Sequence, residues 1–203
     1  MLRNPTRRFA AAVLLVSAHL CLHAEGPSAL RSDADLLRQK VATITERGAA
    51  PTHQPLRTTV TEREVNAYLV YESADGLPAG VADPSVSIPG NDRVTARAVV
   101  DLDAVRRQRN ATSLFDPMRY LLRGRLAVKA TGVFRAANGV AQFQLESADI
   151  AGVPVPKLVL QEIVSYYSRS AEHPSGINLD EPVALPARIR EIHVERGQAV
   201  IVQ

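Results

Sequence analysis

The stretch "RLAVKATGVFRAANGVAQFQLESADI", residues 125–150, decides how this chain folds. Asn138-Gly139 at its centre is the strongest short hairpin signal, since the tight turn it favours needs positive φ at both positions. With those two residues as the loop, Ala137 pairs with Val140, Phe134 lies opposite Phe143, and Gly132 lies opposite Leu145. One face then carries Leu126, Val128, Ala130, Phe134, Phe143 and Leu145. The other carries Lys129, Thr131, Arg135, Gln142, Gln144 and Glu146, with Val133 out of pattern. A slip of one residue would exchange the two sets, so turn and pattern corroborate each other. The ribbon runs about 11 residues a side, against a usual 5 or 6. Gly132 in mid-strand predicts a bend or a close approach.

Before this hairpin, "PSVSIPGNDRVTARAVVDL" (84–102) reads as two strands joined at Pro89-Gly90-Asn91-Asp92. Val94, Ala96, Ala98, Val100 and Leu102 alternate there with Thr95, Arg97 and Asp101. Residues 104–125 break the pattern as an Arg-rich excursion, helical in part. Arg106, Arg107, Arg109, Arg119, Arg123 and Arg125 face a single Asp in 106–125. Earlier still, "VTEREVNAYLVYE" (60–72) starts a short helix. Thr61 and Glu64 form a capping box, and Val60 and Val65 take the positions of a hydrophobic staple. Val65, Tyr68, Leu69 and Glu72 share a face, with Asn66 to its side. Residues 32–48 read as a first helix. Ser32 is its cap, Asp33 and Asp35 stand near its positive end, and Gly48 stops it. Its apolar stripe is Ala34, Leu37, Val41 and Ile44.

After the hairpin, "VPVPKLVLQEIVSYYSR" (153–169) reads as another amphipathic helix, with Pro156 tolerated near its start. Lys157, Gln161, Ser165 and Ser168 form a narrow polar stripe. Leu158, Val159, Ile163, Val164, Tyr166 and Tyr167 form a broad apolar one, which predicts that the helix is largely buried. A loop follows, and "ARIREIHVERGQAVIVQ" (187–203) closes the chain as a hairpin turning near Arg196-Gly197. The expected fold is α+β, a long curved antiparallel sheet wrapped around one or two amphipathic helices.

The first residues speak to compartment. "MLRNPTRR" is basic, "FAAAVLLVSAHLCL" is apolar, and "HAEG" offers Ala24 as a cleavage point. This is the pattern of a cleavable secretory signal peptide over residues 1–24, which predicts a periplasmic or secreted protein. Leu20 before Cys21 argues against lipidation. The expected organisation is residues 1–24 as signal, 25–55 as an N-terminal helix and linker, and 56–203 as one α+β domain. The full chain has 24 basic and 21 acidic residues. Removal of Arg3, Arg7 and Arg8 leaves 21 of each, so overall charge gives no case for nucleic acid. The single cysteine leaves with the signal, and no disulfide or thiol chemistry is expected in the remainder.

Catalytic vocabulary is thin. No G-x-S-x-G, H-E-x-x-H, C-x-x-C, G-x-G-x-x-G or Walker loop occurs. Glu191, His193 and Glu195 share one face of a strand and could be set against a metal. Flat strand spacing rarely converges three short side chains, so a solvated face is the favoured reading. Asp101 and Asp103 form a D-L-D pair, of a kind that binds metal–nucleotide complexes in some transferases; with no nucleotide-binding βαβ around them, a strand end with capping acids is the favoured reading. The arginine cluster, with Tyr120, Leu121 and Leu122 inside it, suits an anionic headgroup or membrane surface, against a solvated loop as the plainer reading.

"VTEREVNAYL" resembles the helix start of small secreted bacterial domains related to the tubular lipid-binding (TULIP-like) superfamily, matched at Glu64, Asn66 and Leu69. Residues 93–150 and 154–169 resemble that family's long hairpins around an apolar helix, and Gly197 to Val202 its closing hairpin. The resemblance implies a groove for acyl chains or similar molecules and no catalytic residue. It leads to the expectation of an exported, non-enzymatic lipid-binding domain of the cell envelope, without cofactor or metal. Leu126, Val128, Phe134, Phe143, Leu145, Leu158, Val159, Ile163 and Tyr166 would line the groove. Arg119, Arg123 and Arg125 would meet a headgroup. The expected partners are a lipid or apolar small molecule and a membrane surface, with no nucleic acid. The other reading is an envelope assembly protein that binds a protein partner.

Overall fold

A computed structural model describes residues 27–51, 54–71, 80–108, 124–169, 174–176 and 178–203, with the side chains of 27–29, 105, 106, 108 and 166–168 excepted. The fold is α+β, as the patterning predicts. The element order is α1 (Pro27–Ala49), β1 (Arg57–Thr61), α2 (Glu62–Tyr71), β2 (Val81–Gly90), β3 (Arg93–Asp101), α3 (Leu102–Gln108), β4 (Arg125–Ala137), β5 (Val140–Ile150), β6 (Val153–Pro154), α4 (Lys157–Ser168), β7 (Val183–Ala184), β8 (Glu191–Glu195) and β9 (Gln198–Val202).

The nine strands form one antiparallel sheet of two unequal parts. β2, β3, β4 and β5 make a long meander. β1, β9 and β8 make a shorter ribbon. The two parts join where β3 has run out. β4 pairs with β3 as far as Val133, and further along Ala136 pairs with Ile192 of β8. The β8–β9 turn abuts β2, with the Gly197 N–H donating to the Ile88 carbonyl at 2.8 Å.

The β4–β5 hairpin keeps the predicted register from Ala137↔Val140 to Gly132↔Leu145. Asn138 and Gly139 have φ of 54° and 77°, as the tight turn requires. Beyond Gly132 the pairing shifts to Thr131↔Ser147, so Glu146 is the extra residue of a bulge. The bulge lets β5 change parity and keep Ala148 and Ile150 opposite Ala130 and Val128. Gly132 is required by close approach. A Cβ there would lie 2.4 Å from the Gln144 carbonyl oxygen and 2.6 Å from the Phe143 ring. The freed Glu146 turns to Arg93, whose Nε and Nη2 donate to its carboxylate at 2.9 and 3.0 Å.

β2 and β3 turn at Asn91-Asp92, both at positive φ. Pro84 and Pro89 are tolerated because β2 is an edge strand with two irregularities in its pairing. Leu102, expected to continue the alternation of β3, instead opens α3 and is buried. Asp101 caps that helix, accepting from the N–H groups of Ala104 at 2.9 Å and Asp103 at 3.0 Å. The Ala104 bond is the main reason its carboxyl lies below the usual range.

Two helices depart from expectation. α1 begins at Pro27, not at Ser32, which lies inside the helix and is exposed. Its stripe buries Ala34, Leu37 and Ile44 but leaves Val41 43% exposed. α4 has the predicted span but a different buried side. Leu158 is 81% exposed and Val159 41%, while Leu160, absent from the expected stripe, is 7% exposed. Gln161, assigned to the polar stripe, faces the 178–180 turn and accepts from the Leu179 N–H at 2.8 Å. Seven of the twelve residues of α4 are apolar or aromatic, so several rotations about its axis bury a comparable area.

Candidate functional site

The capped helix α2 sits at the meeting point of the sheet's two parts, and its polar side chains serve backbone groups. The Thr61 hydroxyl accepts from the Glu64 N–H at 3.2 Å, and Glu64 Oε2 accepts from the Thr61 N–H at 2.8 Å, completing the predicted capping box. Glu62 Oε2 accepts from the Ile88 N–H at 2.6 Å. Asn66 is bidentate on Val86: its Nδ2 donates to the Val86 carbonyl at 2.8 Å, and its Oδ1 accepts from the Val86 N–H at 2.7 Å. Together these side chains occupy hydrogen-bonding positions that another strand would take along the β2 edge.

α1 is anchored on this corner. Lys40 Nζ donates to Glu64 Oε1 at 2.6 Å and to the Thr59 carbonyl at 2.7 Å. Asp33 pairs with Arg63 at 2.9 Å, and Arg31 lies over the Tyr71 ring. Glu64 is 6% exposed. Burial pushes its carboxyl up, but the bonds from Lys40 and the Thr61 N–H, with the Lys40 charge, outweigh burial and hold it below the usual range.

The C-terminal half of α1 is held by different means. Gln203 donates through Nε2 to the carbonyls of Ile44 at 2.8 Å and Ala187 at 2.7 Å. Arg188 Nη1 donates to the Ala50 carbonyl at 3.0 Å. Gly48 rests on the 186–188 turn so closely that a Cβ would lie 2.5 Å from the Ala187 backbone. Ala187 and Arg188 have φ of 53° and 54°, an uncommon conformation for residues with a Cβ. This turn is held from α1 on one side and from Gln203 on the other.

Between α1 and the turn lies a cleft of 460 Å³. Val41, Ile44, Gly48 and Ala49 line it from α1, Pro186, Ala187 and Ile189 from the turn, and Ile201 from β9. Thr45 is the one polar lining residue, and its hydroxyl is spent on the Val41 carbonyl at 2.9 Å. No charged or titratable side chain is among the lining residues, so the cleft offers apolar contact and no acid–base group. Its volume lies within the range usual for small-molecule sites. Val41, mismatched to the core by its exposure, is explained by its place on the cleft wall.

The predicted groove residues lie elsewhere. Leu126, Val128, Phe134, Phe143 and Leu145 are half-buried on one face of the β4–β5 ribbon, and Ile163 is half-buried on α4. Leu158 and Val159 face outward; Tyr166 belongs to α4, and its side chain lies outside the described residues. Arg119 and Arg123 also lie outside them. Arg125 is on the exposed face of β4, 3.6 Å from Asp83. None of the predicted lining residues borders the cleft.

Glu191 and His193 approach each other at 3.0 Å, and Glu195 accepts from Gln198 at 2.8 Å. Among the described residues no three His, Cys, Asp or Glu side chains are grouped to hold a metal ion, and no helix is long and apolar enough to cross a membrane.

No protein-family model matches the chain. No curated protein matches it either. Among solved structures, a match is the crystal structure of lipopolysaccharide binding protein, at 12% identity and a TM-score of 0.20. That match covers 73% of this chain, and the chain spans 40% of the other's length. A likeness of that size carries no argument about fold or function.

Proposed function

We propose that this protein is an exported, non-enzymatic domain of the cell envelope that binds a lipid or another apolar molecule in the cleft between α1 and the 186–189 turn. The observation that carries the reading is the cleft itself: 460 Å³ walled by aliphatic and small side chains, with its only hydroxyl already bonded. A site of that size and polarity suits an acyl chain or similar body, which gains by leaving water and asks for no polar partner. The basic and apolar start of the sequence supports export.

Organic extraction of protein taken from its native compartment, followed by mass spectrometry, should recover a stoichiometric apolar compound. The purified protein should also take up a fluorescent fatty acid. Val41→Trp, which fills the cleft from an already exposed position, should abolish uptake while leaving the melting temperature close to wild type. Absence of both bound lipid and uptake in the wild-type protein would reject the reading.

A second reading, an envelope assembly protein with a protein partner, draws on the exposed apolar side chains Val153 (63%), Leu158 (81%) and Val183 (65%). Photo-crosslinking from position 158 in cells distinguishes it, since it requires one specific protein adduct and indifference to lipid.

A further inference from the structure

The outer face of the meander carries a feature that the cleft does not use. Arg97 on β3 and Lys129 on β4 are register partners, so their side chains leave the same face directly opposite each other. Like charges so placed oppose strand pairing. Neither cation makes a hydrogen bond or ion pair with any described residue. Their neighbours on this face do: Arg93 grips Glu146, and Arg125 lies 3.6 Å from Asp83. Two carboxylates border the space beside Arg97 and Lys129. Asp149, register partner of Lys129, accepts from the Gly152 N–H at 2.8 Å, and Asp83 is the residue that faces Arg125.

The two cations stand at a depression of 180 Å³ with small residues in its floor. Val99 and Ala127 are register partners in the next position on the same face, and Ala98 and Val128 also border the space. Asp83 comes to its rim from an irregularity in β2, at a φ of 50°. Thus two cations that make no ion pair with a described residue border a hollow that also carries the carboxylates of Asp83, 3.6 Å from Arg125, and Asp149.

We propose that this depression binds a phosphate-type anion, bridged by Arg97 and Lys129. A dianionic or diester phosphate offsets the repulsion between Arg97 and Lys129. Two of its oxygens accept from a guanidinium and an ammonium at once. The inference is independent of the apolar cleft, which lies on other elements, so each can fail alone.

Inorganic phosphate is titrated calorimetrically at low ionic strength into wild type, Arg97→Gln, Lys129→Gln and Arg135→Gln. Arg135 is an exposed arginine of the same strand outside the depression. The expected result is binding to wild type and Arg135→Gln, weakened about 10-fold or more in each of the other two. Phosphate should raise the melting temperature of wild type and of Arg135→Gln, and that of Arg97→Gln and Lys129→Gln much less. Absence of wild-type binding, or binding by Arg97→Gln or Lys129→Gln equal to that of wild type, overturns the proposal. Vesicles separate the two sources of the anion. Cosedimentation with phosphatidylglycerol but not phosphatidylcholine, lost in Arg97→Gln, assigns a lipid phosphate. Binding of inorganic phosphate without cosedimentation assigns a soluble one.

Discussion

At the β2 edge of the meander, the N–H and carbonyl of Val86 are met by Asn66, the Ile88 N–H by Glu62 and the Ile88 carbonyl by the Gly197 N–H. At the β5 edge, two-residue strands β6 and β7 pair only the ends, at Asp149–Ile150 and Val140–Ala141. Between them come looser ties: Lys157 to Asp180, and Gln142 to the Asp180 carbonyl at 3.3 Å. Both edges avoid presenting a long open strand, which would invite another chain. The first does so with a rigid helix whose polar side chains imitate a strand. The second does so with fragments and a helix that buries Leu160 and exposes Leu158. Stability should therefore be concentrated at the α2 corner, with the α4 side yielding first.

The largest expected loss is at Glu64. Replacing it with Ala removes the capping box, strips a buried partner from Lys40 and leaves the Thr61 N–H unmet. Buried-pair and cap losses together suggest about 3 kcal/mol, read as a shift in urea midpoint. The same group makes the corner pH-sensitive. Its folded pKa is depressed, so its contribution is fully present above the unfolded value and is lost as pH falls through the folded one. Wild-type stability should drop from about pH 5 downward, more steeply than that of Glu64→Gln, whose side chain does not titrate in that window. Equal slopes would show that Lys40 and Glu64 are not coupled.

Asn66→Ala comes next. It leaves the N–H and the carbonyl of Val86 without their partners, at about 2 kcal/mol, and should speed hydrogen exchange at Val86 before exchange at Ala130 in the sheet centre. Asn66→Asp sharpens the comparison, since a carboxylate keeps the bond from the Val86 N–H but cannot donate to its carbonyl. It should recover part of the loss and no more. If Asn66→Ala and Gln161→Ala cost the same, the two edges do not differ as described.

What the residues themselves disclosed follows the same division. The Asn138-Gly139 turn and the Thr61–Glu64 box were legible because partners lie within a few positions and each residue type has one physical use there. The register of β4 and β5 followed from the turn, but the bulge at Glu146 did not, because it depends on Arg93 in another hairpin. Asn66 was visible as a residue to one side of the helix face. Its task was not, since Val86 lies on a strand with no local link to it. β1 was missed: five residues before a helix cap carry little periodicity, and their pairing is with β9 near the far end of the chain. The cleft was hidden for the same reason, being assembled from α1, the 186–189 turn and Ile201. For α4 the difficulty was abundance. With apolar residues on most sides, periodicity alone could not choose Leu160 over Leu158.

That choice sets the two smallest effects. Leu160→Ala removes a buried side chain from a helix with little other cover, and should cost about 2 kcal/mol, the lower end of the usual range for such truncations. Leu158→Ser should change stability by no more than about 0.5 kcal/mol, because a side chain 81% exposed gives up little apolar contact. The contrast between opposite sides of one helical turn is more informative than either value. If both substitutions cost about 2 kcal/mol, the apolar side predicted from periodicity is packed in solution. The β5 edge would then be as firmly closed as the β2 edge. If Leu158→Ser is silent for stability but abolishes a crosslinked protein adduct, the exposed leucine is kept for a partner, and the looseness of this edge has a use.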